Sequence, residues 1–114
     1  MIPASKVLLS DAAAEALRFL ESNSKARGAA VARRARALKP LLLVDCLHGE
    51  VVRKSAIPSD LRAKYGIENL FVEDLPDFWR LLYTVVRQSG QRLIVVIEIV
   101  DHKRYSRWFP GRRR

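Results

Sequence analysis

The segment that follows the last apolar run of the chain is rich in side chains that can handle phosphates. His102, Lys103, Arg104 and Tyr105 are consecutive, and Trp108 comes three residues later. A histidine can exchange a proton near neutral pH, cations neutralise phosphate charge, and an aromatic ring can stack on a base. The set is suited to binding or cleaving RNA, whereas each residue alone also fits a solvated surface or a packed helical turn.

Arg80 is a further candidate, because it stands inside an apolar, strand-like run. Metal-free RNA cleavage needs a base for the 2′-hydroxyl, an acid for the leaving oxygen, and cations that stabilise the transition state. The planar fork of an arginine suits the last task. The alternative is an ion pair between Arg80 and Glu98 on a partly open sheet face, whose loss would cost the fold no more than ~1 kcal/mol.

Residues suited to other chemistry are scarce in this sequence. His48 is too far from His102 to indicate a metal site, and Cys46, as the one cysteine, is expected to be a small buried side chain. The chain has no glycine-rich phosphate loop. We therefore expect neither a metal nor a small-molecule cofactor.

The same residues bear on the compartment. A single cysteine fits a reducing cytosol, and acidic residues near the start argue against a secretion signal. No apolar run approaches the ~20 residues of a membrane span. A cytoplasmic protein without a membrane partner is expected.

The charge of the chain points to a polyanionic or acidic partner. The 114 residues carry a formal net charge of +9, and the sequence pI is about 10.4. The cations concentrate in two acid-free zones, Lys25–Lys39 and His102–Arg114. Nucleic acid, an anionic surface or an acidic protein would be attracted to such zones.

The pattern of apolar residues predicts one α+β domain over residues 1–114, with helices on one face of an antiparallel sheet. Ser10 is expected to cap the first helix and Ser59 a short later one that stops at Gly66. Pro40 is expected to kink the second helix. The predicted elements, in order, are a strand in 6–10, a helix from 11, a helix from about 29, short strands near 51–58 and 69–75, strands 78–86 and 92–100, and a C-terminal helix or turn.

The register of the last two strands decides which side chains share a face. A three-residue loop, 88–90, makes Arg80 face Glu98. It also puts Trp79, Leu81, Tyr83 and Val85 on an apolar face with Leu93, Val95, Ile97 and Ile99. A two-residue loop would place Glu98 on the apolar face at a desolvation cost, so the three-residue loop is predicted, with helices on the apolar face.

Taken in order, these segments resemble the RelE/ParE superfamily of type II toxin–antitoxin toxins. The segments that carry the resemblance are KVLLSDAAAEALRFLE, GEVVRK, NLFVEDLPDFWRLLYTVV and LIVVIEIVDHKRYSRWF. The resemblance implies a small antiparallel sheet with two N-terminal helices packed on one face. It also implies an acidic antitoxin as a partner.

The two branches of that superfamily imply two different activities. RelE-like members are endoribonucleases (mRNA interferases) that cleave mRNA in the ribosome without a metal and so inhibit translation, whereas ParE-like members poison DNA gyrase and lack the nuclease residues. By the resemblance, Arg80, His102 and Tyr105 take the catalytic positions. The nucleic-acid-binding positions fall on Arg53, Lys54, Lys103, Arg104 and Trp108. The spacing from His102 to Tyr105 departs from the nuclease pattern, which leaves a non-enzymatic inhibitor or basic binding protein as the alternative.

Overall fold

A computed structural model describes residues 1–22 and 26–111 of the chain. The predicted loosening between the first two helices and the terminal arginines lie at least partly outside the described residues. The elements, in chain order, are β1 (Lys6–Leu9), α1 (Asp11–Ser22), α2 (Ala26–Val44), β2 (Glu50–Val51), α3 (Ser59–Tyr65), β3 (Phe71–Asp74), β4 (Arg80–Gln88), β5 (Gln91–Val100) and α4 (His102–Trp108), with short 3-10 turns at Lys54–Ala56 and Pro76–Phe78.

The prediction of an α+β fold is confirmed, but the prediction of an antiparallel sheet is wrong. The described strands form one mixed sheet in the order β1-β5-β4-β3-β2. β1 pairs with β5 in parallel, while the other neighbours are antiparallel. A parallel pair needs a long crossover connection, and here nearly the whole chain separates the two strands. Local sequence patterns carry no signal for such a distant pairing.

The predicted hairpin register is also wrong. The loop between β4 and β5 has two residues, Ser89 and Gly90, so Gln88 pairs with Gln91. A bulge then shifts the register, because Tyr83 pairs with Val96 whereas Leu82 pairs with Glu98. The bulge turns Glu98 away from α1 and α2 and thereby avoids the desolvation cost that the sequence argument assigned to a two-residue loop.

The bulge changes which residues of β5 share a face. Leu81 and Tyr83 lie in the core cluster formed with α1 and α2, as predicted, and Trp79 and Val85 pack against it. Ile94 and Val96 join that cluster, whereas Val95 and Ile97 belong to the opposite side, which reverses the prediction for both pairs. Arg80 aligns with Val100 and not with Glu98.

Both faces of the sheet are covered, so neither is open as the sequence suggested. The first cluster joins α1, α2 and the sheet. The second joins Leu82, Ile97 and Val100 to Leu61 of α3 and Tyr105 of α4. Helices on both faces bury Arg80 and Glu98, which are 3% and 2% exposed.

Local signals at the helix ends have mixed outcomes. Ser10 caps α1 as predicted, since its Oγ accepts the Ala13 N–H at 3.0 Å. Gly66 ends α3 in the left-handed conformation, also as predicted. Ser59 is the first residue of α3 and not its cap, because Pro58 occupies the capping position. α2 continues through Pro40 to Val44. None of the described helices has the length and apolar character needed to cross a membrane.

Candidate functional site

α4 carries most of the predicted site residues and follows β5 directly. Asp101 caps the helix, because its Oδ1 accepts the Arg104 N–H at 2.9 Å. The inward side of α4 places Tyr105 and Phe109 in the second core cluster, with ring centroids 4.9 Å apart. The outward side presents the exposed side chains of His102 and Lys103 to solvent. One short helix thus separates the predicted site residues into a buried set and an accessible set.

Arg80 and Tyr105 form the buried set. The guanidinium carbon of Arg80 lies 5.1 Å from the centroid of the Tyr105 ring. Arg80 Nε lies 3.1 Å from Asp74 Oδ1, and a terminal nitrogen donates to the Trp79 carbonyl at 3.0 Å. A phosphate would compete with the Asp74 carboxylate, whose side chain is 55% exposed. In this arrangement Arg80 joins β4 to α4, and its proposed contact with a phosphate stays a prediction.

Glu98 is bonded by α3 rather than by Arg80, so the predicted ion pair between Arg80 and Glu98 is wrong. Tyr65 donates its hydroxyl hydrogen to Glu98 Oε2 at 2.7 Å, and Lys64 Nζ lies 3.8 Å from the same oxygen. Burial and the Glu98 carboxylate together raise the pKa of Tyr65 to about 12. The shift of the register at the bulge is the reason, because it aligns Glu98 with Leu82.

His102 belongs to the accessible set and has an aromatic neighbour that the sequence did not indicate. Its ring centroid is 5.9 Å from that of Phe78, in an edge-to-face arrangement, and its Nε2 is 3.5 Å from Ser106 Oγ. Phe78 is 63% exposed. Asp77 and Phe78 both have positive φ angles, of 59° and 62°, which non-glycine residues rarely adopt. The turn therefore holds an aromatic ring in solvent beside an accessible imidazole.

Trp108 is held in place on the outer side of α4. Its Nε1 donates to Asp60 Oδ2 of α3 at 2.9 Å, which fixes the orientation of the indole. The guanidinium carbon of Arg104 lies 5.5 Å from the centroid of the Trp108 ring. A fixed indole with a cation beside it is suited to stacking on a nucleobase while the cation meets a phosphate.

Arg53 lines a cleft of about 520 Å3 together with Trp108, here called the Trp108 cleft. The remaining lining residues are Glu50, Val51, Ala56, Phe109, Pro110 and Gly111. Lys54 follows Arg53 in the chain, and its side chain is exposed. The 3-10 turn that carries Lys54 is tied to α3, since the Lys54 carbonyl accepts a hydrogen bond from Arg62 at 2.9 Å.

No known protein settles what this site does. Neither a family model, nor a curated protein, nor a solved structure matches the chain. The case for a function rests on the chemistry of α4 and its surroundings.

The structure groups the predicted residues in two places. Arg80 and Tyr105 pack together inside the fold, while Trp108, Arg104 and Arg53 lie at or near one surface cleft. Sequence reasoning missed the carboxylates that hold two of these side chains, Asp74 and Asp60, and it missed Phe78. The strand preceding Arg80 ends in Asp74, so a hairpin alignment could have indicated the first pair. The other two depend on tertiary contacts and on an unusual turn.

Proposed function

We propose that this chain is a toxin of the RelE/ParE kind that binds RNA through the end of the molecule formed by α4. In this proposal it is an endoribonuclease that cuts mRNA on the ribosome and inhibits translation in the cytoplasm. Two helices on one face of the sheet, as that superfamily implies, would form its scaffold. A small acidic antitoxin would hold it inactive.

The observation that carries the proposal is the pairing of a fixed indole with cations beside it. Trp108 is oriented by Asp60, Arg104 lies next to its ring, and Arg53 lines the adjoining cleft. Stacking of a base on such a ring contributes about 1–3 kcal/mol, and the arginines would contact the flanking phosphates.

His102 would supply the proton transfer in this proposal. It is the accessible titratable group nearest in sequence to the Arg104–Trp108 pair, and an imidazole can serve as base or acid near neutral pH. The exposed Phe78 ring beside it would position a second base. Tyr105 and Arg80 would hold α4 in place from below, and Arg80 would add positive potential at the site.

A second candidate is a non-enzymatic inhibitor of the ParE kind or a basic binding protein. The burial of Arg80 and Tyr105 favours it, because two of the three predicted catalytic side chains would then have a packing role. Both candidates bind an acidic antitoxin, so antitoxin binding does not discriminate between them.

The experiment that separates the two candidates measures mRNA cleavage on translating ribosomes. His102→Gln should reduce cleavage by about a hundredfold if His102 transfers a proton. His48→Gln is the matched control, because His48 is the other histidine of the chain and bonds Glu73 far from α4. Equal activity of both variants would remove His102 from the mechanism.

The outcome for the wild-type protein tests the proposal as a whole. Absence of cleavage by wild type, combined with growth arrest on expression, would favour the non-enzymatic candidate, and inhibition of gyrase would then be measured directly. Trp108→Ala should weaken binding of single-stranded RNA by roughly tenfold or more. Undiminished binding would contradict the proposed interface.

A further inference from the structure

A second cleft lies on the other side of α4, where β5 loses its parallel neighbour. β1 ends opposite Val96, and the chain then turns into α1, with the Ser10 N–H donating to the Val96 carbonyl. The last residues of β5 therefore face α1 across a cleft of about 310 Å3, here called the β5-edge cleft. Its lining residues are Ala12, Glu15, Ala16, Phe19, Trp79, Glu98, Ile99, Val100, Asp101 and Arg104.

The β5-edge cleft is acidic, although the protein as a whole is strongly basic. Three carboxylates, of Glu15, Glu98 and Asp101, line it together with one cation, Arg104, which gives a formal charge of −2. Lys64 approaches Glu98 Oε2 at 3.8 Å from the second face of the sheet and lowers that excess to −1. Local acidity within a chain of net charge +9 favours a ligand that is a cation.

Glu98 supplies an acceptor that is buried and only half used. The residue is 2% exposed, and both of its polar contacts, with Tyr65 and Lys64, involve Oε2. Among the described residues no fully buried polar side-chain atom lacks a partner, so Oε1 must be reached by solvent, and the β5-edge cleft is where Glu98 lines a cavity. A carboxylate oxygen in such a position requires a donor when a ligand closes the cleft.

The other walls of the cleft fit a flat, partly apolar cation. Ala12 and Ala16 follow each other by one helical turn on α1 and leave space above the β5 edge. Phe19, which is 56% exposed, and Trp79 add aromatic rings, and such rings attract cations to their faces. Among residues 1–22 and 26–111, no three His, Cys, Asp or Glu side chains could together hold a metal ion.

We propose that the β5-edge cleft binds a guanidinium group, which donates to Glu98 Oε1 and lies against an aromatic ring. A guanidinium is planar, always charged and weakly hydrated, so it is suited both to the carboxylate and to the rings. A neutral nucleobase would leave the buried charge of Glu98 uncompensated, and the carboxylates would repel the phosphate of a nucleotide. This inference does not depend on the proposed RNA chemistry.

Agmatine is the probe for a binding test, with Trp79 as the reporter. In a Trp108→Phe background Trp79 is the remaining indole, so its fluorescence should change in a saturable way as agmatine is added. 1,4-Diaminobutane, which lacks the planar head, should bind several-fold more weakly. An N-acetylarginine amide arm distinguishes a free guanidine compound from an arginine side chain of a partner, and binding of either supports the proposal.

Three carboxylate variants locate the site. Glu98→Gln should weaken agmatine binding by about tenfold or more, and it keeps an oxygen that can accept from Tyr65; a melting curve checks that the fold persists. The exposed Glu15→Gln should weaken binding about threefold without endangering the fold. Glu68→Gln is the matched control, because Glu68 is exposed and lines a different cavity.

The proposal would be overturned by any of three results. The first is the absence of a saturable signal with both agmatine and N-acetylarginine amide. The second is equal weakening by Glu15→Gln and Glu68→Gln in a protein whose Glu98→Gln variant binds normally. The third is tighter binding of guanosine monophosphate than of agmatine, which would make the cleft a base pocket.

Discussion

Arg80 shows how burial changes the meaning of a candidate residue. On a partly open sheet face its removal would cost little, but here it is 3% exposed, pairs with Asp74 and lies over Tyr105. Arg80→Ala removes this packing and the link to α4. Asp74 remains half exposed, so it is not left as a buried lone charge.

We expect Arg80→Ala to lower the free energy of unfolding by roughly 2 kcal/mol, measured by urea denaturation. Arg107→Ala, which removes an exposed arginine of α4, should stay within about 0.5 kcal/mol of wild type. Equal stability of the two variants would contradict the structural role of Arg80. Because Arg80→Ala is expected to be unstable, Arg80→Lys is the better variant for testing catalysis.

Tyr65 links the stability of the fold to alkaline pH. Its pKa is raised to about 12 in the folded protein, against about 10 in an unfolded chain. Above pH 10 the unfolded state loses this proton while the folded state keeps it, so the contribution is complete below pH 10 and is lost as pH rises towards 12.

The prediction for Tyr65 is tested with the Tyr65→Phe variant. Its absorbance at 295 nm should lack a tyrosine that ionises near pH 12 in wild type. The variant should also lose about 1 kcal/mol of stability at neutral pH, because the hydroxyl donates to Glu98 and to the Ile97 carbonyl. Between pH 10 and 12 its stability should fall less steeply than that of wild type. Parallel stability curves over that range would contradict the assignment.

At the scale of elements, the turn between β4 and β5 offers the clearest test. Ser89 and Gly90 have φ angles of 52° and 77°, which matches a two-residue turn of type I′. Replacement of Ser89 by Asn, a residue that tolerates positive φ, should raise the free energy of unfolding by about 0.5 kcal/mol.

Gly90→Ala should have the opposite effect on the same turn. An added Cβ at Gly90 would meet no atom within 4 Å, so the expected loss of about 1 kcal/mol is purely conformational. Gly111→Ala is the control, since Gly111 is equally uncrowded and its φ is not in the left-handed range. Thermal melting of the three variants decides, and destabilisation by Ser89→Asn would contradict the turn type.

The same hairpin shows how far the sequence could lead. Apolar patterning located both strands and indicated correctly that Leu81 and Tyr83 face α1 and α2, because burial of one face imposes a period of two. It failed for Val95 and Ile97, since it assumed unbroken pairing, whereas a bulge shifts the register between Leu82 and Tyr83. A bulge leaves little trace in composition.

The candidate site was predictable to a similar extent. Charge and residue type marked α4 and Arg53 as a group of RNA-binding side chains, and the structure places Arg53 and Trp108 at one cleft. The burial of Arg80 was not predictable, because it depends on α4 folding back over the second face of the sheet. The two-sided covering of this sheet is a tertiary property that no local signal contains.

For the whole molecule, the main consequence of the fold is the separation of the two basic zones. α2 packs on one face of the sheet and α4 on the other, so Arg33 and Arg34 project from the opposite side to Lys103 and Arg104. One short RNA strand bound at α4 cannot also contact the exposed arginines of α2 without wrapping around the sheet.

This separation predicts unequal effects of two charge-matched variants on RNA binding. Lys103→Gln/Arg104→Gln and Arg33→Gln/Arg34→Gln each remove two positive charges and leave a net charge of +7, since 9 − 2 = 7. If α4 is the interface, the first variant should lower the slope of log affinity against log salt by roughly 1.4, at about 0.7 per lost phosphate contact on a single strand. The second should change that slope little, because a general loss of charge is common to both.

Filter binding of a short single-stranded RNA between 50 and 200 mM salt measures both slopes. Equal reductions in the two variants would show that the RNA reaches both faces or responds only to net charge, and either result would contradict an interface confined to α4. A reduction confined to the α2 variant would move the RNA-binding surface to the opposite face of the sheet. The Trp108 cleft would then need another ligand, and the proposed nuclease site at His102 would lose its substrate.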